Sequence, residues 1–115
     1  MLLELTGEFS DIIADVQVKR FRKEKNCYQL IAILSLKDGS NLFVKEYLFR
    51  NGEKKYAYHL QTKDGKFRGR WDNAPHWPEL PTYPKHFHDG RENRVVASEI
   101  NNLRAVLEHL RNILA

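Results

Sequence analysis

The sequence predicts an α+β fold, a curved antiparallel β-meander of about five strands with a C-terminal α-helix packed on the sheet and a long Pro/His-rich loop. Three observations lead there. Turn signals recur about every dozen residues, the runs between them are rich in β-branched and aromatic residues, and from Ser98 onward the apolar positions take helical spacing. A chain of 115 residues is the length of one domain, so residues 1–115 are expected to share one core.

Taken in order, Leu2, Leu3, Leu5 and Phe9 favour a short helix over residues 2–11. Strands follow near 13–22, 27–36, 42–50, 54–63 and 66–72. They are separated by Lys23-Glu24-Lys25-Asn26, Lys37-Asp38-Gly39-Ser40, Arg50-Asn51-Gly52-Glu53 and Lys63-Asp64-Gly65-Lys66. Asp-Gly and Asn-Gly between such runs are hairpin signals, because both residues tolerate the positive φ of a type I′ turn. The second run, Tyr28 to Leu36, is apolar on both faces through its middle, as in a central strand. In the fourth, Tyr56, Tyr58 and Leu60 share one face, while Ala57, His59 and Gln61 share the other.

Residues 73–93 hold all four prolines and three of the five histidines, which predicts an ordered functional loop in place of regular structure. Beyond it Ile100, Leu103, Val106, Leu107, Leu110, Ile113 and Leu114 form one apolar stripe, with Ser98 as the expected N-cap and Glu99 at the positive helix end.

Composition narrows the function classes. Hydrophobic residues at 42% and charged residues at 30% describe a globule able to bury a core, not a disordered tail. No apolar run approaches the roughly 20 residues that span a bilayer, so no membrane partner is expected. The N-terminus lacks the basic and apolar regions of a signal peptide, and the single Cys27 allows no internal disulfide framework. Cytoplasmic localisation follows as the expectation. Nineteen basic residues against fifteen acidic ones give a formal charge of +4, compatible with a phosphate-bearing partner such as RNA.

The chemistry-bearing residues crowd into 70–88. Arg70, Asp72, Asn73, His76, Lys85, His86 and His88 lie there beside Trp71, Trp77, Tyr83 and Phe87. Histidine exchanges protons near neutral pH and also ligates metals, so two mechanisms fit. In one, His76, His86 and His88 carry protons to and from an RNA 2′-hydroxyl and its leaving oxygen, Arg70 or Lys85 stabilises the charged phosphorane, and no cofactor is needed. In the other, Asp72, His76, His86 and His88 ligate a metal ion, the i, i+2 spacing of His86 and His88 placing both rings on one side of an extended segment. A third possibility is a recognition surface that binds without turnover. Asp72 and Asn73 before Ala74-Pro75 are also ordinary turn chemistry, and Arg70 with Asp72 an ordinary ion pair. Glu46 and Tyr47 in the third strand, and Tyr58 and His59 in the fourth, are candidates to join the same cleft, with Trp71 and Asn73, as substrate-binding residues.

The string Arg70-Trp71-Asp72-Asn73-Ala74-Pro75-His76, then Pro78-Glu79-Leu80-Pro81-Thr82-Tyr83-Pro84, then His86-x-His88-x-Gly90, resembles the signature of the TumE family of bacterial and archaeal toxin–antitoxin proteins. Glu46-Tyr47 and Tyr58-His59 fall in the matching order, and the resemblance covers most of the chain. It implies a toxin neutralised by direct contact with a cognate helix-turn-helix antitoxin encoded beside it, and RNA as the kind of target many toxins attack. Trp77, Lys85 and Phe87 depart from the family pattern, the first two replacing histidines, so those positions are not expected to be indispensable and a large histidine metal cluster is disfavoured. A homodimer is expected only as the commonest symmetric assembly.

Overall fold

The computed structural model describes residues 2–114. Helix α1 (Leu2–Glu8) precedes seven strands, β1 (Ile13–Glu24), β2 (Cys27–Leu36), β3 (Asn41–Leu48), β4 (Lys54–Gln61), β5 (Phe67–Asp72), β6 (His86–Asp89) and β7 (Val95–Ala97), and helix α2 (Leu103–Leu114) closes the chain. The strands form one antiparallel sheet in sequence order, a pure meander. The short N-terminal helix, the five expected strands and the C-terminal helix are all present.

The strand count is seven, not five, and the segment 73–93 is not one loop. All four prolines fall between 75 and 84, so the chain is free to pair again from residue 86. Asp89-Gly90 then repeats the turn signal used three times earlier, with Gly90 at φ 73°, and Val95-Val96-Ala97 supplies the returning strand. His86 and His88 therefore stand on a strand.

The Gly-containing hairpins between β2 and β5 share one design that differs from the type I′ turns expected. Leu36, Phe49 and Thr62 each accept a hydrogen bond from the glycine amide three residues on and donate to the carbonyl one residue further. In these turns only the glycines, Gly39, Gly52 and Gly65, take positive φ. The preceding Asp38 and Asn51 stay in ordinary backbone conformation, and their side chains accept from the amides of Ser40 and Glu53.

One face of the sheet carries the core. Leu30, Ala32, Leu34, Leu42, Val44, Tyr58, Leu60 and Trp71 pack there against Leu5 and Phe9 of the N-terminal segment and Leu103, Val106, Leu107 and Leu110 of α2. The N-cap of α2 is Asn102, whose Oδ1 accepts from the Ala105 amide at 2.8 Å, and not Ser98. Ser98 instead accepts from the Ile100 amide in a turn before the helix, and Glu99 pairs with Lys85. Ile113, at the end of the predicted stripe, is exposed.

Among the described residues the other face has no helical layer. Ile31 and Ile33 of β2 are only half-buried, so the strand that reads as doubly apolar is covered on one side only. The connection from 73 to 85 returns over this outer face at β5 and β6, where Trp77 packs against the rings of His86 and His88.

Between β5 and β6 the aromatic packing needs a glycine. Phe87 stacks on Trp71 with centroids 4.6 Å apart, and a Cβ at Gly69 would lie 2.7 and 2.9 Å from two carbons of the Phe87 ring. Gly69→Ala is expected to lower stability by about 1–3 kcal/mol through overpacking, and Phe87→Leu in the same chain to recover most of that loss. Urea unfolding of the three proteins checks this, and an unchanged midpoint in Gly69→Ala counts against the close approach as a constraint.

Candidate active site

Antiparallel partners point to the same face, so the pairing fixes which side chains can meet. Asp72 faces His86, and Arg70 faces His88, across the β5–β6 ladder. The two rows lie side by side on the outer face. His86 Nε2 approaches Asp72 Oδ1 at 2.7 Å, His88 Nε2 approaches Asp72 Oδ2 at 3.3 Å, and the two Nε2 atoms are 3.1 Å apart. Asp72, His86 and His88 are 7, 1 and 3% exposed, an unusual depth for three polar side chains on the face without helices. Trp77 accounts for it, with its ring centroid 4.6 Å from that of His86 and 5.3 Å from that of His88.

Backbone groups orient each member. Asp72 Oδ1 accepts from the Ala74 amide at 3.0 Å, an Asx turn that starts the covering connection. His86 Nδ1 donates to the Pro84 carbonyl at 2.9 Å, and His88 Nδ1 to the Glu92 carbonyl at 2.8 Å. A carbonyl oxygen only accepts, so each ring carries a proton on Nδ1 and aims Nε2 at the carboxylate.

Arg70 completes the arrangement. Its Nε donates to Asp72 Oδ2 at 3.0 Å, and its two terminal nitrogens grip Glu92 at 2.6 and 2.7 Å. This bidentate pair holds Glu92 below the usual carboxylate range, with burial opposing it weakly. Glu92 lies in the β6–β7 connection, so its carboxylate and carbonyl both tether that turn to the site.

Next to Arg70 is an open cleft of about 380 Å³ lined by Phe43, Lys45, Ala57, His59, Gln61 and Arg70. His59 sits edge-on to Phe43, and its Nε2 is 3.2 Å from Gln61 Oε1. Burial pushes the His59 imidazole below its ordinary pKa, against the raising effect of the Gln61 bond, so it favours the neutral form.

The remaining sequence candidates divide. His76 is exposed and packs at right angles to Trp77, outside the Asp72–His86–His88 cluster. Tyr47 shares the outer face but stacks with Phe49, in the row flanking that of Asp72. Asn73 clamps two strands, its Oδ1 accepting from the Tyr56 amide and its Nδ2 donating to the Lys54 carbonyl. Lys85 pairs with Glu99 at 2.8 Å. Trp71 faces the core, against Phe87 and His109. Glu46 and Tyr58 also lie on the core face, so they do not join the cleft of His59. Glu92 and Trp77 are the participants that sequence reasoning passed over as site residues. Glu92 stands in a segment with no pattern of its own, and only its pairing with Arg70 reveals it.

Glu46 forms a second buried network under the helices. It is 2% exposed and accepts hydrogen bonds from Tyr28 at 3.0 Å and from Tyr58, with Lys54 Nζ 3.8 Å away. Burial first, and then the Glu46 carboxylate, push the Tyr28 phenol up to about 12 and Tyr58 higher still. Burial likewise raises Tyr56, which stacks on Tyr58. A folded-state pKa above the unfolded value of about 10 means that the folded chain holds these protons more tightly. Their contribution to stability is therefore intact below pH 10 and is lost as the pH rises through 12. Phenolate absorbance from Tyr28, Tyr56 and Tyr58 is expected to appear together with loss of the sheet signal in circular dichroism. Full titration of all five tyrosines in a folded chain would contradict this.

No helix among the described residues is long and apolar enough to cross a membrane. Neither the curated proteins nor the solved structures contain a match to this chain. A family model described as Toxin TumE matches residues 2–114, nearly the whole chain. That span includes both strands of the Asp72–His86–His88 cluster and the connection that covers it. The chain belongs to the TumE family of toxins, and membership implies an antitoxin partner.

Proposed function

We propose that this toxin is an endoribonuclease, that single-stranded RNA lies across the uncovered face of the sheet, and that cleavage takes place beside Arg70 at the Asp72–His86–His88 cluster. The observation that carries this reading is the continuity between a basic, open sheet face and the buried cluster. Arg20, Ile31, Lys45, Ala57, Asp72 and His86 form one transverse row of cross-strand partners from the free edge of β1 to the site. The flanking row holds Arg22, Gln29, Tyr47 and Lys55. Strands lie about 4.8 Å apart, so the row provides a track several nucleotides long.

The chemistry of the face suits a single strand. Lysines and arginines release counterions from the phosphates, and exposed aromatic faces stack unpaired bases without regard to sequence. At the far end of the track a groove of about 700 Å³ wraps the end of the sheet, where Arg22 and Tyr47 of the outer face meet Phe21, Lys23 and Tyr28 of the inner one. At the near end Arg70 is engaged by Glu92, a mostly exposed carboxylate that a phosphate of the bound strand can displace.

Cleavage of RNA by its own 2′-hydroxyl requires removal of that proton, stabilisation of the charged phosphorane and protonation of the leaving 5′-oxygen. His76 stands outside the cluster, so in this reading the reacting phosphate sits at Asp72, His86 and His88, with Arg70 and Lys45 as the nearby positive charges. The antitoxin then neutralises the toxin by covering the same face.

Wild-type protein is expected to cleave unstructured RNA, and Asp72→Asn to lose at least a hundredfold in rate while retaining binding. Lys45→Glu is expected to weaken RNA binding and to reduce the slope of log K against log salt by about 0.7, the increment for one phosphate of a single strand no longer neutralised. Gel-based cleavage and fluorescence anisotropy across salt concentrations provide the readouts. Binding without turnover under any ionic condition would leave a recognition module and remove the nuclease. Failure to bind would remove RNA altogether.

A further inference from the structure

We infer that Asp72, His86 and His88 hold one divalent transition-metal cation of the zinc class, so that the site is a metal centre and not a set of free proton carriers. The inference concerns the cluster on which the RNA reading rests, but it does not depend on RNA being the substrate.

Pro84 and Glu92 each accept from an Nδ1 proton, so in the neutral form each ring has its lone pair on Nε2. Those lone pairs face each other at 3.1 Å and face the Asp72 carboxylate at 2.7 and 3.3 Å, in a site almost closed to water. Three acceptors at these distances repel unless positive charge lies among them. One added proton serves a single contact and leaves the others opposed. A single cation at the centre serves all three.

The dimensions fit. Ligands bound at about 2.0–2.1 Å around a tetrahedral ion lie about 3.3 Å apart, within a few tenths of an ångström of most of the separations here. One ligand atom from each of Asp72, His86 and His88 lies within 4.8 Å of the other two, and no other such group of three occurs among the described residues. Ligating histidines ordinarily donate the N–H of their other ring nitrogen to a carbonyl or carboxylate, as both rings do here. Arg70 and the Ala74 amide hold the carboxylate in turn. Two imidazoles and one carboxylate suit zinc, cobalt or manganese better than magnesium or calcium, which prefer oxygen alone. Three protein ligands are also the number found in catalytic sites that keep a fourth position for water or substrate.

The experiment uses the full chain, stripped with chelator and then titrated calorimetrically with Zn²⁺ and, for its visible spectrum, with Co²⁺. Near-stoichiometric binding of one ion is expected, with intense tetrahedral or five-coordinate Co²⁺ bands. His88→Gln and Asp72→Asn, each verified as folded by circular dichroism, are expected to bind at least tenfold more weakly. His76→Ala, which removes the exposed histidine nearby, is expected to bind normally. Should a variant fail to fold, the Co²⁺ spectrum of the wild type still decides, since a spectrum unchanged from that of aqueous Co²⁺ shows that the cluster does not ligate the ion. No binding by wild-type protein, or equal binding by folded Asp72→Asn, overturns the inference, as does loss of binding in His76→Ala. Metal bound at the cluster without RNA cleavage would retain the metal site and remove the nuclease. Cleavage by fully stripped protein that also binds no added metal would retain the nuclease and remove the metal site.

Discussion

The carboxylate of Asp72 is the point at which the outer face of the sheet is tied together. Its Oδ1 receives the Ala74 amide and faces His86, while its Oδ2 receives Arg70 and faces His88. Through Arg70 it reaches Glu92, and through the Ala74 amide it sets the start of the connection that brings Trp77 over both imidazoles. A buried carboxylate without such partners is costly by several kcal/mol. The β5–β6 pairing, the covering connection and the β6–β7 turn therefore converge on satisfying it. Much of the shape of this end of the molecule follows from that one requirement.

The two faces of the sheet divide the work. The inner face carries both helices, the apolar core and the Glu46–Tyr28–Tyr58 network, where each phenol donates to the carboxylate and the burial is accordingly stable. The outer face carries the open cleft, the basic row and the histidines. Because strand residues alternate between faces, neighbours in sequence separate cleanly in role. Trp71 anchors the core while Asp72 beside it serves the site, and Phe87 packs on Trp71 between two histidines that point the other way.

Most of the architecture was legible in the sequence because it is built from local rules. The Asp-Gly and Asn-Gly turns, the alternation in β4 and the stripe of α2 each declare themselves within a dozen residues. The β6–β7 hairpin was obscured by its neighbours, since four prolines spread over residues 75–84 made the whole of 73–93 read as loop. The spacing of His86 and His88 and the Asp89-Gly90 turn were the signals that a strand resumes. The helix start was misplaced for a similar reason. Ser98 and Asn102 both have capping side chains, and only the tertiary position of the chain after β7 selects Asn102.

At the site, sequence alone determined the residue types, their concentration in 70–88 and the family to which the pattern belongs. It could not determine which of those residues meet. His76 is nearer to Asp72 along the chain than either His86 or His88 is, yet it faces solvent, whereas the other two are brought to the carboxylate by the β5–β6 register. Glu46 and His59 are both polar residues in adjacent strands, and their alternation parity sends them to opposite faces. The two carbonyls that orient the imidazoles come from Pro84 and Glu92, and a backbone oxygen carries no mark in the sequence. Proximity across strands depends on register, and register is a property of the folded sheet.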